Sequence, residues 1–163
     1  KPVRRSVLLK ALSNRPVEEA IAVEMVASEA AAASVATKCR GKILLVEDNL
    51  INTRVALGIL GKTSCEVTVA GNGALALEEL ERQDFDLVLM DLQMPVMGGL
   101  EASKRIRAGE TTGARPVPIV AMTARAMKED QQKCLEAGMS GYLSKPISIE
   151  RLMEVLDEWL PAD

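Results

Sequence analysis

The chain contains no histidine, and aromatic residues make up only 2% of its 163 residues. Histidine-based catalysis and histidine-ligated metal sites are therefore excluded within this sequence. The core must be aliphatic, because hydrophobic residues account for 48% of the chain. No apolar run approaches the length of a transmembrane helix, and no signal peptide is visible. We expect a cytoplasmic polypeptide, which leaves open a membrane anchor elsewhere in a longer parent protein.

An excess of positive charge and a disulfide framework are absent as well. The net charge of −3 provides no basic surface for nucleic acid or anionic lipid. Cys39, Cys65 and Cys134 are widely spaced without a CxxC pair, which is typical of reduced thiols in a cytosolic protein. The length suits one ordinary domain plus a tail. The first residue, Lys1, suggests a fragment of a longer protein.

From residue 42 onward, short apolar runs alternate with segments of helical periodicity. The predicted strands are Lys42–Val46, Cys65–Ala70, Asp86–Met90, Pro118–Met122 and Gly141–Ser144, and the predicted helices are Leu50–Leu60, Ala74–Glu81, Leu100–Ala108, Met127–Ala137 and Ile149–Leu160. This alternation favours parallel strands, right-handed crossovers and helices on both sheet faces. We predict an α/β fold with a doubly wound five-stranded parallel sheet in the order 2-1-3-4-5. Gly138 should end the fourth helix and Ser148 should cap the fifth.

Asp91 follows the third predicted strand and precedes a loop containing Pro and Gly. Ligands bind outside the carboxyl ends of strands in open parallel sheets, so Asp91 is a candidate reactive group. The strand order places Glu47 and Asp48, at the end of the first strand, beside it. Taken separately, Asp91 could be a solvated acid that ends a strand or caps a helix. Glu47 and Asp48 could be a helix N-terminal pair favoured by the macrodipole.

Three adjacent carboxylates repel one another, and a pair about 4 Å apart costs about 4 kcal/mol at an effective dielectric of ~20. A bound cation or a captured proton would relieve that repulsion. Oxygen ligands without histidine or cysteine favour Mg²⁺ or Mn²⁺ over Zn²⁺. The sequence therefore predicts a hard divalent cation beside Asp91.

Thr123 and Lys145 follow the fourth and fifth predicted strands. Taken alone, they could be an ordinary strand-end threonine and a surface lysine. Pro146 permits a cis Lys145–Pro146 bond, since the cis form of X–Pro costs only about 0.5–1 kcal/mol. A carboxylate, a divalent metal, a hydroxyl and a lysine together indicate phosphoryl transfer, with an acyl phosphate formed on Asp91. No GxxxxGK[ST] loop is present, so a nucleotide is not the evident donor.

Four motifs carry a resemblance to a known family. They are VEDN at Val46–Asn49, LMDLQMPVMGG at Leu89–Gly99, AMTA at Ala121–Ala124 and GYLSKP at Gly141–Pro146. In this order and spacing, the chain from Lys42 to Leu160 resembles a receiver domain of two-component signalling. It most resembles the C-terminal receivers of hybrid sensor histidine kinases. The resemblance implies the flavodoxin-like receiver fold.

The resemblance also implies a role for each site residue. Asp91 would be the phosphoacceptor, and Thr123 and Lys145 would contact the phosphoryl group. The metal ligands would be Glu47, Asp48, Asp91 and the main-chain carbonyl of Gln93. Tyr142 would be the switch aromatic that rotates inward when Thr123 moves. Glu47 is longer than the aspartate of many receivers, which leaves direct or water-mediated metal contact open.

The implied function is a phosphorelay receiver. It would accept a phosphoryl group from a phosphohistidine and pass it to a histidine phosphotransfer partner. Such a domain is no independent enzyme, but its parent would be a hybrid histidine kinase whose kinase core is a further partner. The alternatives are the receiver of a single-step response regulator, a haloacid-dehalogenase hydrolase and a flavodoxin-like binding module. Gln93 replaces the second aspartate that the hydrolase needs, and the binding module's phosphate loop is missing.

The N-terminal segment contains a weak internal repeat. KPVRRSVLLKAL at Lys1–Leu12 aligns without gaps with KPISIERLMEVL at Lys145–Leu156. We predict that residues 1–14 are the last helix of a preceding receiver-like domain, residues 15–40 an Ala-rich linker and residues 41–163 the receiver. Chance apolar periodicity is the alternative. A dimer could form through this orphan helix or through the face of the last two helices.

Overall fold

The structure is a computed structural model that describes residues 40–109, 116–125 and 127–161. Strands and helices alternate along these residues. The strands are β1 (Lys42–Val46), β2 (Glu66–Ala70), β3 (Leu87–Asp91), β4 (Ile119–Thr123) and β5 (Gly141–Ser144), and the helices are α1 (Leu50–Leu60), α2 (Gly73–Arg82), α3 (Gly99–Arg107), α4 (Lys128–Glu136) and α5 (Ile149–Trp159). The helix predicted at residues 1–14 and residues 15–39 of the predicted linker lie outside the described residues.

The strands form one parallel sheet in the order β2-β1-β3-β4-β5, which confirms the predicted fold. Strands β3 and β4 each end one residue later than predicted, because Asp91 pairs with Met122 and Thr123 pairs with Ser144. Helix ends differ from the prediction by no more than one residue. This shift of one residue affects the site, since Asp91 and Thr123 are the last paired residues of their strands rather than the first residues after them.

Polar side chains cap three helix starts, and a glycine follows the end of α4. Asn49 and Asn72 cap α1 and α2 with their side-chain oxygens. Ser148 accepts a hydrogen bond from the Arg151 N–H at 3.3 Å, as predicted for the start of α5. Gly138 follows α4 with φ of 82°, the left-handed conformation that glycine adopts most readily.

None of the helices in the described ranges combines the length and apolar character needed to cross a bilayer.

Buried aliphatic side chains cover both faces of the sheet. Because successive strand residues point to opposite faces, Leu44 and Val88 join one layer while Leu45 and Leu89 belong to the other. The first layer packs against α2 and α3 through Ala76, Leu80, Ala102 and Ile106. Helices α1 and α5 bury Ala56, Leu60, Leu152 and Leu156. The sheet is therefore a rigid support for the ends of its strands.

Gly99 sets how closely α3 approaches the end of β3. A Cβ atom at this position would overlap the carbonyl oxygen of Asp91 and lie 2.9 Å from Cγ of Met90. We expect Gly99→Ala to destabilise the fold by about 1–3 kcal/mol, because the overlapping oxygen belongs to strand backbone that cannot move freely. Urea unfolding of both proteins measures this difference.

Gly58, an exposed residue of α1, supplies the matched control. A Cβ there would meet no atom of the described residues within 4 Å. Gly58→Ala should therefore stabilise the protein by about 0.5–1 kcal/mol, the ordinary helix-propensity gain of alanine over glycine. Equal effects of the two substitutions would show that α3 does not pack against β3 in this way.

Candidate active site

The carboxyl ends of β1 and β3 meet at the point where the strand order reverses. Val46 of β1 pairs with Met90 of β3, so the next residues, Glu47 and Asp91, lie on neighbouring strand ends. One carboxylate oxygen from each of Glu47, Asp48 and Asp91 lies within 4.8 Å of the others. The convergence predicted from strand order is confirmed.

Lys145 reaches into this acidic cluster from the end of β5. Its Nζ atom lies 2.6 Å from Oε2 of Glu47 and 2.9 Å from Oδ2 of Asp91. The peptide bond from Lys145 to Pro146 is cis. Glu47 and Asp91 are buried, whereas Asp48 is exposed. Three carboxylates against one ammonium leave two negative charges at the site.

The acids hold Lys145 in its charged form. Burial lowers the pKa of its ammonium, but hydrogen bonds to Glu47 and Asp91 and the charges of both carboxylates outweigh that effect. The net result is a pKa above the ordinary value of 10.5. Lys145 is therefore a permanent cation at neutral pH.

The cluster of Glu47, Asp48 and Asp91 fits a small divalent cation. Its candidate donors are all carboxylate oxygens, the ligands that Mg²⁺ prefers, and the uncompensated charge matches that of the ion. Asp48 opens the cluster to solvent, so water and phosphate oxygens could complete an octahedral shell.

Residues 43–157 match the family model described as the response regulator receiver domain. The chain belongs to this family. The receiver match covers the five strands, apart from Lys42 at the start of β1, and most of α5. The relatives and solved structures agree with this assignment.

The curated relatives of this chain include histidine kinases. The receiver is 43% identical over 121 residues to hybrid signal transduction histidine kinase K of Dictyostelium discoideum, a match that covers 71% of this chain and 10% of the relative. It is 34% identical over 151 residues to probable histidine kinase 1 of Oryza sativa subsp. indica, a match that covers 75% of this chain and 16% of the relative. The chain thus spans only a small part of the relatives it matches.

Solved receiver domains share the fold. One is the receiver domain of a sensor histidine kinase from Pseudomonas aeruginosa, with a magnesium ion coordinated in its active-site cleft. It has a TM-score of 0.67 and 41% identity, and covers 73% of this chain and 96% of that one. Another is the receiver domain of a Saccharomyces cerevisiae response regulator, co-crystallised with a histidine phosphotransfer signaling protein. That match has a TM-score of 0.68 and 34% identity, and covers 77% of this chain and 91% of the matched one.

In this receiver, the side chain of Thr123 forms hydrogen bonds with the loop that follows β4. Its hydroxyl donates to the carbonyl of Arg125 at 2.9 Å and accepts from the N–H of Arg125 at 3.1 Å. Tyr142 on β5 is 41% exposed, and Gln93 donates its N–H to Oδ1 of Asp91 at 3.1 Å. Of these predicted residues, Gln93 thus contacts Asp91 through its N–H, whereas the hydroxyl of Thr123 is bonded to Arg125.

Two residues of this receiver's site were not predicted from the sequence. Asn49 donates its backbone N–H to Oε1 of Glu47 at 3.2 Å, and Asn52 donates its side-chain amide to the same oxygen at 3.1 Å. The start of α1 could have indicated Asn52 from the sequence. Because Asn49 is the N-cap, Asn52 lies in the first turn of the helix, which begins shortly after Glu47. Polar residues in that turn can face the strand end.

Proposed function

We propose that this receiver forms an aspartyl phosphate on Asp91 with a phosphohistidine as donor, and then passes the phosphoryl group to a histidine phosphotransfer partner. The observation that carries the proposal is the cluster itself. A buried carboxylate at a strand end lies beside two further acids and one lysine, with two negative charges left over. That arrangement suits a nucleophile whose repulsion is relieved by a divalent cation.

The chemistry follows from the positions of the side chains. A carboxylate oxygen of Asp91 attacks phosphorus, the new O–P bond forms, and the P–N bond to the donor imidazole breaks. The imidazole keeps the bonding electron pair and takes a proton from solvent. A Mg²⁺ ion held by Glu47, Asp48, Asp91 and the main-chain carbonyl of Gln93 would neutralise phosphoryl oxygens. Lys145 would turn from Asp91 to those oxygens, and the relay step runs the same exchange in reverse.

The switch would begin at Thr123. We propose that its hydroxyl leaves the backbone of Arg125 and bonds the phosphoryl group. Tyr142, which is now exposed, would rotate into the space that Thr123 vacates. These movements would bias the face formed by α4, β5 and α5. The proposal draws support from the location of both residues on neighbouring paired strands.

The partner must bring a short histidine side chain to a buried aspartate, so its surface must dock closely. Exposed apolar residues lie on the segments next to the site: Leu50 is 77% exposed and Ile51 69% at the start of α1, and Val96 is 86% exposed in the loop after β3. A contiguous group of exposed apolar residues marks a protein contact, and Leu50 and Ile51 are adjacent in the chain. We propose that the histidine phosphotransfer partner docks over them.

The parent protein is proposed from the relatives, which are histidine kinases much longer than this chain. We propose that the parent is a hybrid sensor histidine kinase. Its receiver would lie in the cytoplasm, with the parent chain either free there or anchored in a membrane. Residues 1–14 would then be the end of a preceding receiver-like domain, and residues 15–40 the linker.

Acetyl phosphate supplies the direct test of function. The protein is incubated with acetyl phosphate and Mg²⁺, and its intact mass is followed over time. A stable gain of one phosphoryl group is the expected result. Continuous release of acetate and phosphate without a covalent adduct would instead indicate a hydrolase.

Mg²⁺ should raise the thermal midpoint, because it would bind the assembled cluster but not the unfolded chain. At a concentration 100 times its Kd, the expected stabilisation is about 2.7 kcal/mol. Asp48→Asn should weaken this response, whereas Asp157→Asn on the exposed side of α5 should preserve it. Thermal scans in Mg²⁺, in Mn²⁺ and in a chelator provide the comparison, and an unchanged midpoint in both metals would count against the cation site.

A further inference from the structure

Glu47 is the most completely engaged acid of the cluster. Its side chain is 1% exposed. Oxygen Oε1 accepts from the Asn49 N–H and from the Asn52 amide, and oxygen Oε2 accepts from Lys145. Because two N–H donors already bond to Oε1, we expect this oxygen not to bind the metal ion. Oε2 accepts from the ammonium of Lys145, which it shares with Asp91, and is the oxygen that a cation can share.

We propose that Asn52 is a positioning residue for the metal site and acts through Oε1 of Glu47. The inference rests on the proposed cation site and specifies how that site is assembled. The backbone of Asn49 cannot vary with side-chain identity, so Asn52 is the one of the two donors that substitution can remove. Its amide fixes the carboxylate plane of Glu47 and thereby presents Oε2 toward the oxygens of Asp48 and Asp91.

Helix α1 makes this contact rigid. Asn52 lies in the first turn, where its own N–H is 3.4 Å from the capping oxygen of Asn49. The helix start, the cap and the metal-site acid therefore form one connected group. Outer-shell hydrogen bonds of this kind change metal affinity by about 10- to 100-fold when they are removed.

The experiment measures Mg²⁺ affinity directly by isothermal titration calorimetry with MgCl₂ alone. Asn52→Ala should weaken Mg²⁺ binding by about tenfold relative to the unmodified protein. Asn72→Ala is the matched control, since Asn72 is also a helix-start asparagine but its side chain caps α2 at the Leu75 N–H rather than bonding an acid. Both variants lose stability in chelator, but only Asn52→Ala should lose Mg²⁺ affinity.

A second background tests whether the effect passes through Glu47. Glu47→Asp keeps all three carboxylates but withdraws the carboxylate by one methylene, out of reach of the Asn52 amide. Asn52→Ala should then cause no further loss of Mg²⁺ affinity in the Glu47→Asp protein. This absence of additivity is a result that a general loss of stability would not produce.

The outcomes separate the two proposals. No Mg²⁺ binding by the unmodified protein would overturn both the cation site and the role of Asn52. Normal binding by the unmodified protein with undiminished affinity in Asn52→Ala would overturn the positioning role alone. The positioning role is likewise overturned if Asn52→Ala weakens binding equally with and without Glu47→Asp, or if Asn72→Ala weakens binding as much as Asn52→Ala.

Discussion

Asp91→Asn is expected to abolish phosphoryl uptake from acetyl phosphate. Asparagine has nearly the same shape as aspartate, and its side-chain oxygen can still accept the N–H of Gln93, which lies 3.1 Å away in the unmodified protein. The neutral amide, however, is a far weaker nucleophile than a carboxylate and forms no acyl phosphate. The loss should therefore be complete rather than partial. Intact-mass measurement after incubation with acetyl phosphate and Mg²⁺ detects it.

Asp84→Asn is the matched control for this prediction. Asp84 is an exposed acid at the opposite end of β3, where it cannot reach the site. That variant should gain one phosphoryl group as the unmodified protein does. If Asp91→Asn retained a phosphoryl label, another residue would have to be the acceptor.

Lys145→Met should have the largest effect on stability of the substitutions considered. Glu47 and Asp91 are both buried, and Lys145 is the cation that contacts them at 2.6 and 2.9 Å. Removing the charge of one partner from a buried ionic group costs about 3–5 kcal/mol, and we expect a loss near the lower end because the exposed Asp48 side admits water. Urea unfolding in chelator measures the free energy of unfolding.

Magnesium should restore much of the stability that the Lys145→Met substitution removes. With the ammonium gone, a divalent cation becomes the remaining source of positive charge for the acids. The stabilisation by Mg²⁺ should therefore be larger in Lys145→Met than in the unmodified protein. Lys145→Arg, which keeps the charge, should show a smaller loss in chelator. If Lys145→Met were as stable as the unmodified protein in chelator, the acids would not depend on this lysine.

The raised pKa of Lys145 predicts how pH changes the difference in free energy of unfolding between the unmodified protein and Lys145→Met. A group whose pKa is raised by folding contributes stability that is fully present below its unfolded pKa and is lost as pH rises through the folded value. For Lys145, the pH range in which this stability is lost lies above the ordinary pKa of 10.5. The advantage of the unmodified protein over Lys145→Met should hold constant from neutral into mildly alkaline solution. Its decline should begin only in strongly alkaline solution, and urea unfolding across this pH range measures it.

Much of the fold could be predicted because the signals are local. Short apolar runs, the alternation in Cys65–Ala70 and the short segment before Lys145-Pro146 located the five strands. The alternation of strands with helices left the doubly wound order as the natural topology. The ends of β3 and β4 were each one residue short in the prediction. Asp91 and Thr123 are polar, so the prediction ended each apolar run one residue before them, whereas pairing with Met122 and Ser144 keeps both residues in the sheet.

The site was predictable to the extent that topology decides it. Glu47, Asp48 and Asp91 had to meet once β1 and β3 were neighbours, because parallel strands end at the same edge. The contacts within the site could not be predicted in this way. The ion pair of Lys145 with both acids and the amide of Asn52 on Glu47 depend on side-chain conformations across the assembled pocket.

The amino-acid sequence by itself determined the order of the strands, the aliphatic core and which acids share an edge, since these follow from periodicity and the rules of chain connection. Tertiary structure alone decided which oxygen of Glu47 is occupied, where the ammonium of Lys145 lies and which backbone Thr123 binds. These are choices between alternatives separated by a few ångströms. Packing and hydrogen bonds among residues distant along the chain make those choices, and no local pattern records them.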